Sequence, residues 1–444
     1  MTRVPSACIT IIILAALVLF FPFSGTCQDK YDYINISEPF ENKIPMAIPA
    51  FKALSEGDAV KQAASNAYKV MQNTLSYTGY FKMVDRKAFL VDPADQGITP
   101  REVNLKNWRD IGAELLITGG VRRKAEVLQM EFRLFDPFRG RVLLGKRYTG
   151  STGDQREMVL KFCGEVIRTL TGRAGLFESR IAFVGGEEGS RAVYVCDFDG
   201  SNLKRVTDPQ DIVVSPAWSP DGRFIAYTKY SDDHPNIYVY DLQAGSKSRF
   251  AAYAGINLTP SWRPGHSGMA ATLSFEGDED IYLLTGTGKI DKKLTNSWGV
   301  DVSPTFSPDG KQMAYVSNRS GSPQIYIKDL ESGDVSRLTY EGRYNTQPDW
   351  SPVAGEIVYS GMKDGNTDIY VIDVETRETT RLTRQTGSNE APSWSPDGSM
   401  IVFSSTRTGS SRLYVMTASG TEQRQLLDIP GEQKLPDWSH AGQQ

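Results

Sequence analysis

Three histidines in 444 residues, His234, His266 and His440, leave little room for imidazole chemistry, and no two stand at the spacing a shared zinc ion requires. There is no Gly-x-Ser-x-Gly elbow to raise a nucleophilic serine. Cysteine is almost as rare. Of the four, Cys8 and Cys27 lie in the N-terminal leader, while Cys163 and Cys196 read as buried free thiols in a helix and a strand rather than as a disulfide. Neither sign of charge dominates: 49 Lys and Arg face 53 Asp and Glu, and no basic stripe offers a seat for nucleic acid. Long apolar runs are confined to residues 8–23, after Arg3 and before the small residues Ser24, Gly25 and Thr26. That run is too short to span a bilayer and reads as a secretory signal peptide, residues 1–27, so no stable membrane insertion is expected after cleavage. Cys27 is either removed with the leader or lipidated, and its neighbours match a lipoprotein site poorly.

What the chain has in abundance is a repeat. Pro-x-Trp returns at Pro216/Trp218, Pro260/Trp262, Pro304/Phe306, Pro348/Trp350, Pro392/Trp394 and Pro436/Trp438, always 44 residues apart. An apolar-Tyr pair keeps the same register, from Val193-Tyr194 to Leu413-Tyr414, as does a polar-apolar pair from Arg205-Val206 to Gln425-Leu426. Each period holds four short strand-like segments, the signature of a β-propeller blade. The phase shows how the ring closes: three segments precede the first anchor, and a lone one at 436–440 follows the last full copy. Six blades result, one of them stitched from both ends, over residues 181–440. Such a splice leaves few free strand edges.

Several apparent ligand motifs dissolve in this register. Ser219-Pro220-Asp221-Gly222, repeated at 307–310 and 395–398, is hairpin chemistry. Asp197-x-Asp199-Gly200 aligns with the turns at 241–245 and 329–333 and lacks the downstream glutamate of a calcium loop. Gly286-Thr287-Gly288-Lys289 falls at the same turn with no helix after it. The acidic run 276–280 reads as a solvated loop. No cofactor, no metal and no catalytic residue is expected.

Upstream lies an α/β domain, residues 28–173, joined through a linker at 174–180; its first part, about 28–39, is polar and without periodicity. A strand is expected over 44–51, then a helix capped by Asp58 with apolar positions Val60, Ala63, Ala64, Ala67, Val70, Met71 and Leu75, ended by Gly79. Thr99-Pro100-Arg101-Glu102 reads as a capping box opening a helix through Ile111. Strands at 115–119, 128–135 and 141–148 and a helix from about Asp154 to Leu170 complete it.

The loops before the anchors vary while the anchors do not. Ile256, Asn257, Leu258 and Thr259 differ from Val300, Asp301, Val302 and Ser303, and both differ from Asn345-Thr346-Gln347, Ser388-Asn389-Glu390-Ala391, 213–215 and 433–435. Variable loops round one mouth of a constant scaffold are the arrangement of a protein-binding surface, against the plainer reading that they are solvated turns.

The export signal, an α/β domain carrying Gly112-Ala113-Glu114-Leu115-Leu116-Ile117-Thr118-Gly119-Gly120, and six blades with Ser-Pro-Asp-Gly turns and Arg-Leu-Thr closings together resemble the TolB family, the periplasmic component of the Tol-Pal system. The resemblance covers nearly all of the mature chain. It implies a non-enzymatic, monomeric periplasmic adaptor that maintains outer-membrane integrity during division. By this resemblance the mouth receives the lipoprotein Pal through 256–259 and 300–303, with Asn345, Thr346, Ser388, Asn389 and Glu390 beside them. The mature N-terminal segment, here Gln28, Asp29, Lys30, Tyr31, Asp32 and Tyr33 onward, engages TolA. Two other classes stay open: a secreted propeller hydrolase or peptidase, and a cell-wall glycan-binding module, for which Tyr344 and Trp298 are the nearby aromatic candidates.

Overall fold

The computed structural model describes residues 43–92, 96–187, 189–230, 234–363, 365–384 and 386–440. The leader, Cys27 and the segment 28–33 lie outside the described residues. The first domain contains β1 (Ile44–Ala47), β2 (Lys52–Ala53), α1 (Asp58–Tyr77), β3 (Phe81–Met83), α2 (Leu105–Asp110), β4 (Leu115–Lys124), β5 (Val127–Asp136), β6 (Arg141–Ser151) and α3 (Gln155–Thr171). Its sheet runs β3-β1-β4-β5-β6, with β2 added beside β4. β1 pairs parallel with β3 and β4, whereas β4, β5 and β6 form an antiparallel meander.

Alternation along β5 turns Met130, Phe132 and Leu134 onto α1 and α3, which share one buried face with them. The opposite face is smaller, with Leu116 and Phe135 packed on Trp108 of α2. Local capping differs from the sequence expectation in three places. The strand expected over 44–51 ends at Ala47, ahead of Pro49, which has no N–H for a ladder, and a second short strand follows at Lys52–Ala53. Gly57, at φ 113°, occupies the N-cap of α1, so Asp58 is the first helical residue, where its charge faces the positive helix end. The Thr99/Glu102 pair does form, with Glu102 Oε2 accepting from Thr99 N and Oγ1 at 3.1 and 2.7 Å, but it closes one turn only. The helix starts later, because Asn104 caps it by accepting from Lys106 N.

Six four-stranded sheets follow. Blade 1 has its innermost strand at Ile212–Trp218, blade 2 at Asn257–Trp262, blade 3 at Asp301–Phe306, blade 4 at Tyr344–Trp350 and blade 5 at Asn389–Trp394. In blade 6 the innermost strand Glu432–Trp438 pairs antiparallel with Arg180–Glu187, Trp438 opposite Ile181. Cys163 and Cys196 are buried free thiols, and burial pushes the Cys196 thiol up to about 12.

The two regions share a core. Met400, Leu413 and Trp438 of the propeller belong to the same buried cluster as α1 and α3. Round it, the Tyr77 hydroxyl donates to Phe198 O at 2.8 Å, Arg424 lies 3.7 Å over the Tyr77 ring, and the Trp438 indole donates to Ser179 Oγ at 2.7 Å.

One feature of the innermost strands was not expected from the sequence. The residue before each anchor proline is left-handed: Ser215, Thr259, Ser303, Gln347, Ala391 and Leu435 have φ between 45° and 55°. The ladder skips there in every blade, so each is a β-bulge that bends the strand round the channel. A non-glycine residue in this conformation costs about 1–2 kcal/mol. Burying the anchor aromatic, three residues later, contributes about 1.5–3 kcal/mol, so the strained turn is held in place. Ser215→Gly is therefore expected to stabilise the protein by roughly 0.5–1 kcal/mol, and Ser215→Val to destabilise it by about 1 kcal/mol or more. Chemical denaturation checks both, and equal midpoints for the two variants would refute the strain.

Candidate functional site

Antiparallel pairing sets the start of each innermost strand beside the end of the second, as in Ile212 opposite Tyr230 or Asn257 opposite Leu273. Both ends, with the connections between blades, therefore lie at one mouth of the channel. Of the residues expected there from sequence, the structure divides the set by depth. Asn257, Asp301, Asn345 and Asn389 are at most 2% exposed and face inward, so their side chains do not form the partner surface expected of them. Ile256, Leu258, Thr259, Val302, Ser303, Thr346 and Ser388 are half-buried, and Val300 and Glu390 are exposed.

The buried column clasps one blade to the next. Asn389 Nδ2 of blade 5 donates to Asp368 Oδ1 of blade 4 at 3.0 Å, and the same oxygen accepts from Thr383 Oγ1 at 2.7 Å. Arg381 pairs with the second oxygen of Asp368. One blade earlier, Asn345 and Thr339 donate to Gln324 Oε1, each at 2.8 Å. The Arg-Leu-Thr closings thus supply the threonine and arginine of an inter-blade network. Asp301 is held similarly, accepting from Ser297 Oγ and Arg319 at 3.0 Å. Removing one partner would strand a buried polar group, which is why these positions are polar yet inaccessible.

Beside exposed charged residues such as Arg343 and Glu390, the mouth presents apolar and aromatic side chains to solvent. Trp298 is 76% exposed and Tyr344 51%, with Ile212, Tyr230, Phe275 and Val300 also exposed at this end of the strands. Ile212, Tyr230 and Phe275 were missed in the sequence because each stands in an ordinary strand pattern, and only the pairing register shows that they share a rim.

Below the mouth the six anchor prolines ring a cavity of about 310 Å³. The residue between proline and aromatic points along the ring. Thr305 Oγ1 accepts from Trp350 N at 3.3 Å, Asp349 Oδ2 from Trp394 N at 2.8 Å, Ser393 Oγ from Trp438 N at 3.0 Å, and Asp437 Oδ2 from Trp218 N at 2.7 Å. Blades 3 to 6 so receive the anchor N–H of the next blade, and the last of these bonds closes the ring from blade 6 to blade 1; in blade 1 the position is Ala217, whose side chain has no acceptor to offer. Asp349 and Asp437 open onto the narrow channel but are otherwise enclosed. Burial pushes Asp349 up to about 6, and burial together with the negative charge of Asp349 pushes Asp437 up to about 8. His440 lines the same cavity, whereas His266 lies in a crevice between blades 1 and 2.

Comparison with known proteins gives a consistent result across both regions. A family model described as "TolB beta propeller domain" matches residues 167–442, and another described as "TolB amino-terminal domain" matches 32–143. A Tol-Pal system protein TolB from Desulfosudis oleivorans is 52% identical over 224 residues, 50% of this chain and 51% of that one. Another from Syntrophus aciditrophicus is 39% identical over 209 residues, 46% of each. The chain spans about half the length of these curated relatives in the alignments. The crystal structure of TolB from Acinetobacter baumannii superposes with a TM-score of 0.79 at 26% identity, covering 90% of this chain and 97% of that one.

The channel carboxylates make a pH prediction. Because Asp437 ionises at higher pH in the folded than in the unfolded chain, the folded state holds the extra proton between about pH 4 and 8. Stability is then greatest near the acid end of that window and falls as pH rises through it. Asp437→Asn keeps an acceptor for Trp218 N and removes the charge. It is expected to match the parent near pH 4 and to exceed it by more than about 1 kcal/mol at pH 8.5 in urea denaturation. An unchanged pH slope would show that Asp437 is not the titrating group.

Proposed function

Since the chain belongs to the TolB family, we propose that it is a non-enzymatic periplasmic adaptor of a Tol-Pal system, binding Pal at the propeller mouth and TolA through its N-terminal segment. In this role it maintains outer-membrane integrity during cell division. Export rests on the signal-like residues 1–27 and TolA binding on Gln28, Asp29, Lys30, Tyr31, Asp32 and Tyr33, all outside the described residues.

The observation that carries the Pal assignment is the rim of exposed apolar side chains, Trp298, Val300, Tyr344, Ile212 and Tyr230, set on a ring whose buried polar column is consumed in holding it rigid. A preorganised surface loses little conformational freedom on docking. Aromatic anchors surrounded by half-buried polar residues suit a protein interface of ordinary size. The half-buried Ile256, Leu258, Thr259, Val302, Ser303, Thr346 and Ser388 and the exposed Glu390 would form the floor and edge of that contact. Asn257, Asp301, Asn345 and Asn389 act beneath it, by fixing the blade spacing.

Titration calorimetry of the mature chain with the soluble domain of Pal from the same organism tests this. Saturable binding in or below the micromolar range is expected, weakened at least about tenfold by Trp298→Ala or Val300→Asp with the fold unchanged. Deleting residues 28–33 is expected to remove TolA binding and leave the Pal site intact. No heat of binding at tens of micromolar, a range that reveals an ordinary specific interface, would overturn the Pal assignment.

A further inference from the structure

The repeat allows the same crevice to be compared between different blade pairs. Between blades 4 and 5, a cavity of about 500 Å³ is lined by Ser351, Val353, Val371, Thr380, Leu382 and Ser399, and also by Tyr80 and Arg173 of the α/β domain. Three repeats earlier, between blades 1 and 2, the matching positions are Ser219, Asp221, Val239, Ser248, Phe250 and Ser267, and they line a cavity of about 490 Å³. Nothing from the α/β domain lines this second crevice. The protein therefore uses one such slot for its own domain packing and leaves the equivalent one open.

The open slot has been rebuilt. Five of the six anchor aromatics are no more than 7% exposed, but Trp262 is half-buried, and its ring lines the crevice. The Ser-Pro-Asp-Gly turn that follows the anchor in blades 1, 3 and 5 is replaced in blade 2 by Arg263-Pro264-Gly265-His266. Phe224 and Phe250 of blade 1 complete the wall, each with its centroid 6.4 Å from Trp262, and Phe224 lies within 25° of parallel to it. The equivalents of Phe224 in blades 3 and 4 are Gln312 and Glu356, and that of Phe250 in blade 2 is Leu294. The three-ring wall belongs to this crevice.

Its rim is polar and underused. The Ser248 and Ser267 hydroxyls and the His266 ring make no hydrogen bond to the described chain, and the turn engages only one carboxylate oxygen of Asp221. The Trp262 indole N–H is already spent on Ala217 O at 3.1 Å, so its ring face, not its donor, is on offer. Arg223 lies 4.8 Å over the Phe224 ring, but its guanidinium is paired with Asp241, and the residues lining the space itself include no lysine or arginine.

We propose that the crevice between blades 1 and 2 is a binding site for a neutral saccharide. A sugar ring presents an apolar C–H face that packs on an aromatic wall and a rim of hydroxyls that need donors and acceptors. Phe224, Phe250 and Trp262 supply the wall, and Asp221, Ser248, Ser267 and His266 supply the partners. The volume is in the range of small-ligand sites and takes one or two rings. With Arg223 already paired to Asp241, the lining offers no cation to hold a phosphate or carboxylate, and its hydroxyl rim would be left unpaired by a lipid chain. This assignment is independent of the mouth and of any Tol-Pal partner.

The repeat also provides substitutions the fold already accepts: Trp262→Phe copies Phe306, Phe224→Gln copies Gln312, and Phe250→Leu copies Leu294. The mature chain would be titrated with cellotriose, maltotriose and triacetylchitotriose, followed by tryptophan fluorescence and by saturation-transfer NMR. Saturable binding of at least one, weakened about tenfold or more by Phe224→Gln and by Trp262→Phe with thermal melting unchanged, is the expected result. A phenylalanine-containing dipeptide serves as the competing apolar probe. The proposal is overturned by no saccharide binding up to about 10 mM, by binding that all three variants retain, or by capture of the dipeptide in place of the sugars. Pal titrations on the same variants should be unaffected, which separates failure here from failure at the mouth.

Discussion

At four of the six blade junctions, from blade 3 round to blade 1, the side chain before one blade's aromatic captures the anchor N–H of the next, and this contact fixes the geometry of the ring. It exists because the left-handed residue ahead of each proline turns the strand, and the proline itself brings no N–H that would go unpaired at the bend. The bend sets the channel width. It also sends the next side chain, Thr305, Asp349, Ser393 or Asp437, sideways to the neighbouring blade rather than into the lumen. The outer clasp, built from Asp368, Thr383, Arg381 and Asn389 and from its counterparts, repeats this logic further along the strands. Backbone strain at the centre is thus offset by hydrogen bonds and aromatic burial just outside it, and the mouth inherits a fixed geometry.

Much of this could be read in the sequence, because a repeat without insertions aligns with itself. The blade number, the spliced sixth blade and the structural nature of the Ser-Pro-Asp-Gly turns follow from columns that stay in phase over 44 residues. The mouth was harder to read. Asn257, Asn345 and Asn389 look like solvent-facing loop residues, since asparagine before a strand usually is one. Their burial comes from contacts with the preceding blade, 21 residues back for Asn345 and Asn389, and no local pattern carries that. Exposure failed in the other direction at Ile212 and Tyr230, which alternate like core residues but face each other across an unshielded pair of strand ends. Capping in the first domain went the same way: Glu102 accepts both the N–H and the hydroxyl of Thr99, yet Asn104 decides where the helix begins.

The departures from six-fold regularity are where the molecule distinguishes its faces. Blade 2 loses its turn sequence and opens its anchor, blades 4 and 5 accept Tyr80 and Arg173, and blades 5 and 6 join the α/β core through Met400, Leu413 and Trp438. A regular ring would give six equivalent crevices. This one gives an internal joint at one and an aromatic-walled opening at another.

The splice in blade 6 has a temporal meaning. Trp438 lies opposite Ile181, so the first propeller strand in the chain waits for the last before its sheet is complete. Blades 1 to 5 are each built from consecutive strands, but the ring, and with it the side of α1 and α3 covered by Trp438, stays open until residues 432–438 are in place. A product truncated even ten residues early would keep nearly all of its sequence, yet carry an unpaired strand edge and an uncovered patch on its first domain. The architecture thus marks an incomplete chain as aggregation-prone and open to proteolysis before it reaches any partner.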